Sequence, residues 1–229
     1  MTRMRVWFAV AAVVATATGA AAQPGAPVWR PWRPVVAVGG VGRGGEALGA
    51  VTISTRAVAT GTSTPPPFTL FRTDSSLDGG IGGEAVVLVP VTPVLAVEVT
   101  GSAGRRTLVT AISGDAEGAP ATTASERIDE YQVGGRLSYL LPVGTWRRGR
   151  PFLAAGGAYL RQLHEDNVLV EHGQAWAVSG GAHLWVRQAA RWPVGLTAEA
   201  GWQWRSGGIT LADGVRSSPT AGVRLFVGL

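Results

Sequence analysis

The chain contains no cysteine and no lysine, and beyond its N-terminal leader it has no apolar run as long as a transmembrane helix. Without cysteine there is no disulfide framework, so an exported chain of this kind needs another source of order, and a closed sheet is one. With lysine absent, every basic residue is an arginine, and the arginines are scattered rather than gathered into a patch. That distribution argues against nucleic acid as a partner. Without a second stretch of roughly 18 or more apolar residues, a helical membrane protein is excluded.

What the sequence does have begins with that leader. Arg3 and Arg5 precede the apolar run Val6–Val14, and a small-residue stretch ends in Ala20-Ala21-Ala22 before Gln23. Basic, apolar and small-residue regions in that order predict a signal peptide over residues 1–22, cleaved on export. Removing 22 of 229 residues leaves 207, enough for one domain. Losing Arg3 and Arg5 lowers the formal charge from +5 to +3. Residues 23–34 are Pro-rich and form an irregular lead-in, and residues 35–229 form the folded unit.

From about Asp78 onward the dominant pattern is period-two alternation. In Val194–Arg205, residues Val194, Leu196, Ala198, Ala200, Trp202 and Trp204 share one phase, and Gly195, Thr197, Glu199, Gly201, Gln203 and Arg205 share the other. A strand turns successive side chains to opposite faces, so such a segment has one apolar and one polar face. Eight strands are predicted: about 35–41, 79–91, 94–103 or beyond, 126–141, 151–165, 174–188, 194–205 and 220–229. The links between them run long, short, long, short, medium, short, medium. The two longest, Arg43–Leu77 and Gly104–Ser125, are read as external loops. If Ala50–Ala59 and Phe68–Arg72 pair, ten strands are possible. Links that alternate in phase suit an up-and-down barrel with long loops on one side and short turns on the other. A Greek-key sandwich has no reason to keep that phase.

The pattern resembles the small outer-membrane β-barrels of the OmpA/OmpX type. The resemblance is most specific at the terminus, TAGVRLFVGL, where Ala221, Val223, Leu225, Val227 and Leu229 alternate to the last residue. It implies an all-β, eight-stranded antiparallel transmembrane barrel in the outer membrane, surrounded by lipid and inserted by the barrel-assembly machinery through its C-terminal strand. Family members usually end in an aromatic residue; here Leu229 is last and Phe226 lies on the opposite phase. A monomer is expected.

If the apolar phase faces lipid, the polar phase fills the lumen. The expected lumen charges are Glu84, Glu98, Arg136, Arg161, His183, Arg187, Glu199, Arg205 and Arg224. A barrel of about eight strands is only wide enough to be filled by side chains. Charges of both signs would therefore be driven to pair, and a plugged lumen rather than an open pore follows. Two aromatic belts are expected at the membrane interfaces: Tyr131, Trp176, Trp202 and Trp204 toward the loops, and Tyr139, Phe152, Trp146 and Trp192 toward the short turns.

The sequence offers little catalytic chemistry. His164, His172 and His183 lie on different segments with no metal-site spacing, so neither metal nor cofactor is expected. Ser179, His183 and Glu199 share the inward phase of neighbouring strands, as a lipid-modifying enzyme would need. Four residues along a strand, however, is about 13 Å, too far for a Ser–His bond. The glycine runs lack a phosphate-loop spacing. The expected role is non-enzymatic, structural or recognition through the loops, with no ligand legible. The alternative is an exported soluble barrel that holds an apolar ligand, with the two faces exchanged.

Overall fold

The computed structural model describes residues 33–55, 67–142, 149–165, 169–187, 192–209 and 214–229. The expected signal peptide, most of the lead-in and Trp146 lie outside them. The described residues form ten strands and no helix: β1 (Val35–Arg43), β2 (Glu46–Thr55), β3 (Phe68–Leu77), β4 (Gly80–Pro90), β5 (Leu95–Ser113), β6 (Thr122–Leu140), β7 (Gly149–His164), β8 (Val170–Arg187), β9 (Val194–Gly207) and β10 (Arg216–Gly228).

Eight of these close a ring, in the order β1, β4, β5, β6, β7, β8, β9, β10 and back to β1, with every neighbour antiparallel. Following partners around it, Tyr139 pairs with Leu153, then Gly180, Ala200, Ala221, Gly42, Ile81, Arg105 and Asp129. The path returns to β6 ten residues from its start (139 less 129), so the ring has a shear of ten. A stagger of that size tilts the strands by roughly 40° and leaves an interior that side chains fill.

The anticipated hairpin at Ala50–Ala59 and Phe68–Arg72 forms over its described residues, as β2 and β3, while residues 56–59 lie outside them; it adds no stave. Arg43 pairs with Gly80, and after a break at Gly44-Gly45 and Asp78-Gly79 the pairing resumes with Glu46 and Leu77. β1–β2 and β3–β4 are therefore one long hairpin with a joint. Its far half pairs through β3 with the far half of β5, from Leu77 opposite Leu108 to Arg72 opposite Ser113. Most of the stretch read as a second long loop, Gly104–Ser125, is likewise strand: β5 runs to Ser113, β6 begins at Thr122, and only residues 114–121 turn. The predicted loops thus contain a four-stranded wall, β2-β3-β5-β6, standing beyond the ring.

The side-chain phases follow the expected inversion. Val133, Leu137, Val178, Leu184, Leu196, Trp202, Val223 and Leu225 are all exposed on the outer wall, while Glu98, Glu130, Arg205 and Arg224 are buried. A soluble barrel requires the reverse distribution, so the exchanged-face alternative fails. On β6 the outward phase carries no charge between Tyr139 and Asp129. Ten residues are about 34 Å along the strand and, at that tilt, about 26 Å along the axis. This matches the apolar band of about 25 Å that an outer-membrane barrel presents to lipid.

Candidate functional site: the filled lumen

Below the charges, at the short-turn end, the lumen is apolar. Val35, Ala37, Val86, Leu88, Ala96 and Phe226 form one buried cluster, with Trp185 packed against it. Trp185 meets Phe226 edge-on at 4.6 Å between ring centroids. Phe152 is 1% exposed, packs with Leu140 and Ala154 and stacks on His183 at 4.5 Å, so it faces the lumen and is not part of the lipid-facing belt. His183 sits in the lumen as expected, and its Nδ1 lies 2.8 Å from Thr197 Oγ1. Replacing Thr197 with Val should cost about 1–3 kcal/mol, the penalty for stranding a buried polar partner. Thermal unfolding in detergent micelles would read it.

Above the plug, Arg136 and Arg224 are held among three carboxylates. Arg136 Nε donates to Glu98 Oε2 at 2.9 Å, and its guanidinium also pairs with Glu199. Arg224 Nη1 donates to Glu84 Oε2 at 2.5 Å and its other terminal nitrogen to Glu199. Ser138 donates to Glu98. Five of the nine expected lumen charges meet here, each arginine bridging two strands through the fork geometry that lysine lacks.

A second cluster lies nearer the loops, and of its charges the sequence reading had placed only Arg205. That side chain is 1% exposed and grips Glu130 with two hydrogen bonds, 2.6 Å and 2.8 Å. Gln132 and Gln162 each donate to the same carboxylate at 3.1 Å. Arg43 and Arg106 approach Glu130 at 3.6 Å and 3.9 Å. Arg106 also donates to Glu46 Oε1 at 2.6 Å, and to the carbonyls of Asp78, Gly44 and Leu77 at 2.8, 2.7 and 3.2 Å. It thus satisfies backbone acceptors at the hairpin joint, where Gly44 and Asp78 have no register partner across the hairpin. Leu48, Leu77 and Ile128 close the top as a small apolar cap. Between the two clusters remains a cavity of about 70 Å³, bordered by Arg43, Gln132, Glu84, Arg136 and Glu199. That is room for about two waters.

Two expected lumen residues are elsewhere. Arg161 is exposed on the outer wall: the inward phase of β7 is Arg150, Phe152, Ala154, Leu160 and Gln162, opposite to the phase expected from Arg161. Arg187 is exposed at the end of β8, beyond a register irregularity at Trp185. Tyr131, Trp176, Trp192, Trp202 and Trp204 are exposed, and Tyr139 is partly so.

Two histidine pairs near the loops were not foreseen. Tyr159 bonds His172 Nδ1 through its hydroxyl, and His164 Nδ1 lies 2.6 Å from Glu126 Oε1. Among the described residues, no three His, Cys, Asp or Glu side chains gather as a metal site.

No protein-family model and no curated protein matches this chain. Solved structures with some likeness include the outer membrane protein OprG from Pseudomonas aeruginosa, at 10% identity and a TM-score of 0.46, covering 87% of this chain and 96% of that one. Another is the outer membrane protease OmpT from Escherichia coli, at 8% identity and a TM-score of 0.35, covering 90% and 99%. A third is the COG4313 outer membrane channel from Pseudomonas putida F1, at 15% identity and a TM-score of 0.18, covering 90% and 100%. Likeness at this level carries no inference about activity. The closed ring, the inverted faces and the uncharged band give this chain the architecture of a membrane-spanning β-barrel.

Proposed function

We propose that the barrel is a non-conducting, non-enzymatic scaffold that holds the β2-β3-β5-β6 wall above the membrane as a recognition surface. The observation that carries this reading is the sequence of fillings along the lumen: aromatic plug, two ion-paired layers and aliphatic cap. Moving an ion through would mean breaking buried ion pairs, with only the small cavity between the layers to offer their members water. The wall supports the recognition role. Its strands are rich in Ser and Thr (VTIST, FTLFRTDSS, TLVTAIS, TTAS), and the outer edge of β2 has no ladder partner among the described residues. An unpaired edge is a place where an extended segment of another protein can add.

The non-enzymatic half rests on the geometry of candidate groups. His183 Nδ1 is engaged by Thr197 rather than by Ser179, and the base-and-nucleophile contact that acyl transfer requires is not made by that pair. Planar-bilayer recording tests the closed state. The folded protein should give no stable conductance, and Arg136→Ala with Arg224→Ala should leave it closed, because the aromatic plug, the upper ion-paired layer and the cap remain. Steady large currents from the unmodified protein would refute the scaffold reading.

A further inference from the structure

The arginines that face outward have no role in the lumen. Arg105 and Arg161 project from the outer wall just where the uncharged band of β6 ends. Arg105 pairs in register with Asp129, and Arg161 with Tyr131 on one side and His172 on the other. The Arg105 side chain is 71% exposed, although Nε donates to Asp129 Oδ1 at 3.0 Å. The Arg161 side chain makes no ion pair or hydrogen bond with any described residue. Arg127 lies one step further from the membrane, also exposed, with its backbone N–H on Glu165 Oε2 at 3.4 Å. Three arginines thus face two acids on this part of the wall.

An arginine on the lipid-facing phase at the edge of the band sits at headgroup depth, where its stem lies along acyl chains and its guanidinium reaches the polar layer. Tyr131 and Tyr159, each about half exposed, frame Arg161 with rings suited to the same depth. Guanidinium forks match phosphate oxygens in pairs. Because β5 and β7 flank β6 and their partners on it, Asp129 and Tyr131, are two residues apart, Arg105 and Arg161 stand about 12 Å apart, a span over which their long side chains can reach one headgroup.

We propose that this patch binds a net-anionic, phosphate-bearing lipid headgroup of the leaflet into which the long loops project, held by Arg161 and Arg105 and seated against Tyr131 and Tyr159. The proposal rests on the transmembrane reading, but it fails separately from it. Folding and detergent dependence are read by heat-modifiable mobility, and lipid binding by titration.

The experiment titrates the full chain, folded in neutral detergent micelles, with diphosphoryl lipid A. Replacing Arg161 and Arg105 together with Gln should weaken binding by about fivefold per arginine, the usual effect of one basic residue at an anionic surface. Arg161→Lys should keep most of the affinity, and Arg187→Gln, at the opposite end of the barrel, should keep all of it. Should the double variant fail to fold, Arg161→Gln alone should show its single fivefold loss. Equal loss in Arg187→Gln, unchanged affinity in the folded double variant, or equally tight binding of phosphatidylcholine would overturn the proposal. Inorganic phosphate displacing the lipid at equal concentration would also overturn it, in favour of a free-anion site.

Discussion

Replacing Glu130 with Leu is expected to destabilise the folded barrel by about 3–5 kcal/mol, the cost of removing one partner from a buried ion pair. Arg205 would lose both hydrogen bonds of its fork, and Arg43 and Arg106 would lose the nearer compensation for their charges. Glu46 alone would remain against three buried guanidinium groups. The neighbouring residue provides the contrast. Asp129 points outward, and its partner Arg105 is mostly exposed, so Asp129→Leu should change stability by no more than about 1 kcal/mol. Denaturant titration of the two variants in the same micelles measures the difference. Similar losses in both would mean that the upper cluster is not an ion-paired layer.

Gly39→Val should prevent the ring from closing. Gly39 points inward on β1, where β10 passes so close that an added Cβ would lie 2.6 Å from Arg224 Cα and overlap the carbonyl oxygen of Val223. Side-chain overpacking costs about 1–3 kcal/mol. Here the obstruction is backbone, so neither atom can swing away without separating the first and last staves. The next residue makes the control. Gly40 faces outward with nothing closer than Gly82 O at 3.9 Å, and Gly40→Ala should fold normally. Loss of the heat-modifiable band in the first variant and its retention in the second is the expected pair of results.

Much of the architecture was legible because a lipid-facing sheet writes its two faces directly into sequence parity. The strand boundaries at Val194 and Val35, and the phases of the strands holding Arg136, Glu199 and Arg224, follow from alternation alone. Reading failed where the pattern lost contrast. Small residues dominate FLAAGGAYL on β7, so a single charge was made to set its phase. Arg161 is outward because it lies at headgroup depth, where a charge on the lipid side is tolerated. Phe152 was assigned to a belt by its position near a turn, although an aromatic ring serves equally as a plug. Arg43, Glu46 and Arg106 were hidden inside presumed loops. The signal for Arg106 was present: Glu98, Thr100, Ser102, Gly104 and Arg106 keep one unbroken parity past the assumed strand end. Glu130 shares its parity with Gln132 and Arg136 in the same way.

The two charged layers are not each neutral. The layer nearer the loops sets three arginines against two glutamates, and the one below sets three glutamates against two arginines. Stacked in that order they make a bipolar junction a few ångströms thick. A cation entering from the loop side meets the positive layer first, and an anion rising from the short-turn side meets the negative one. Any leak that opens through this barrel should therefore rectify, and inverting the bilayer should invert the preferred direction of current.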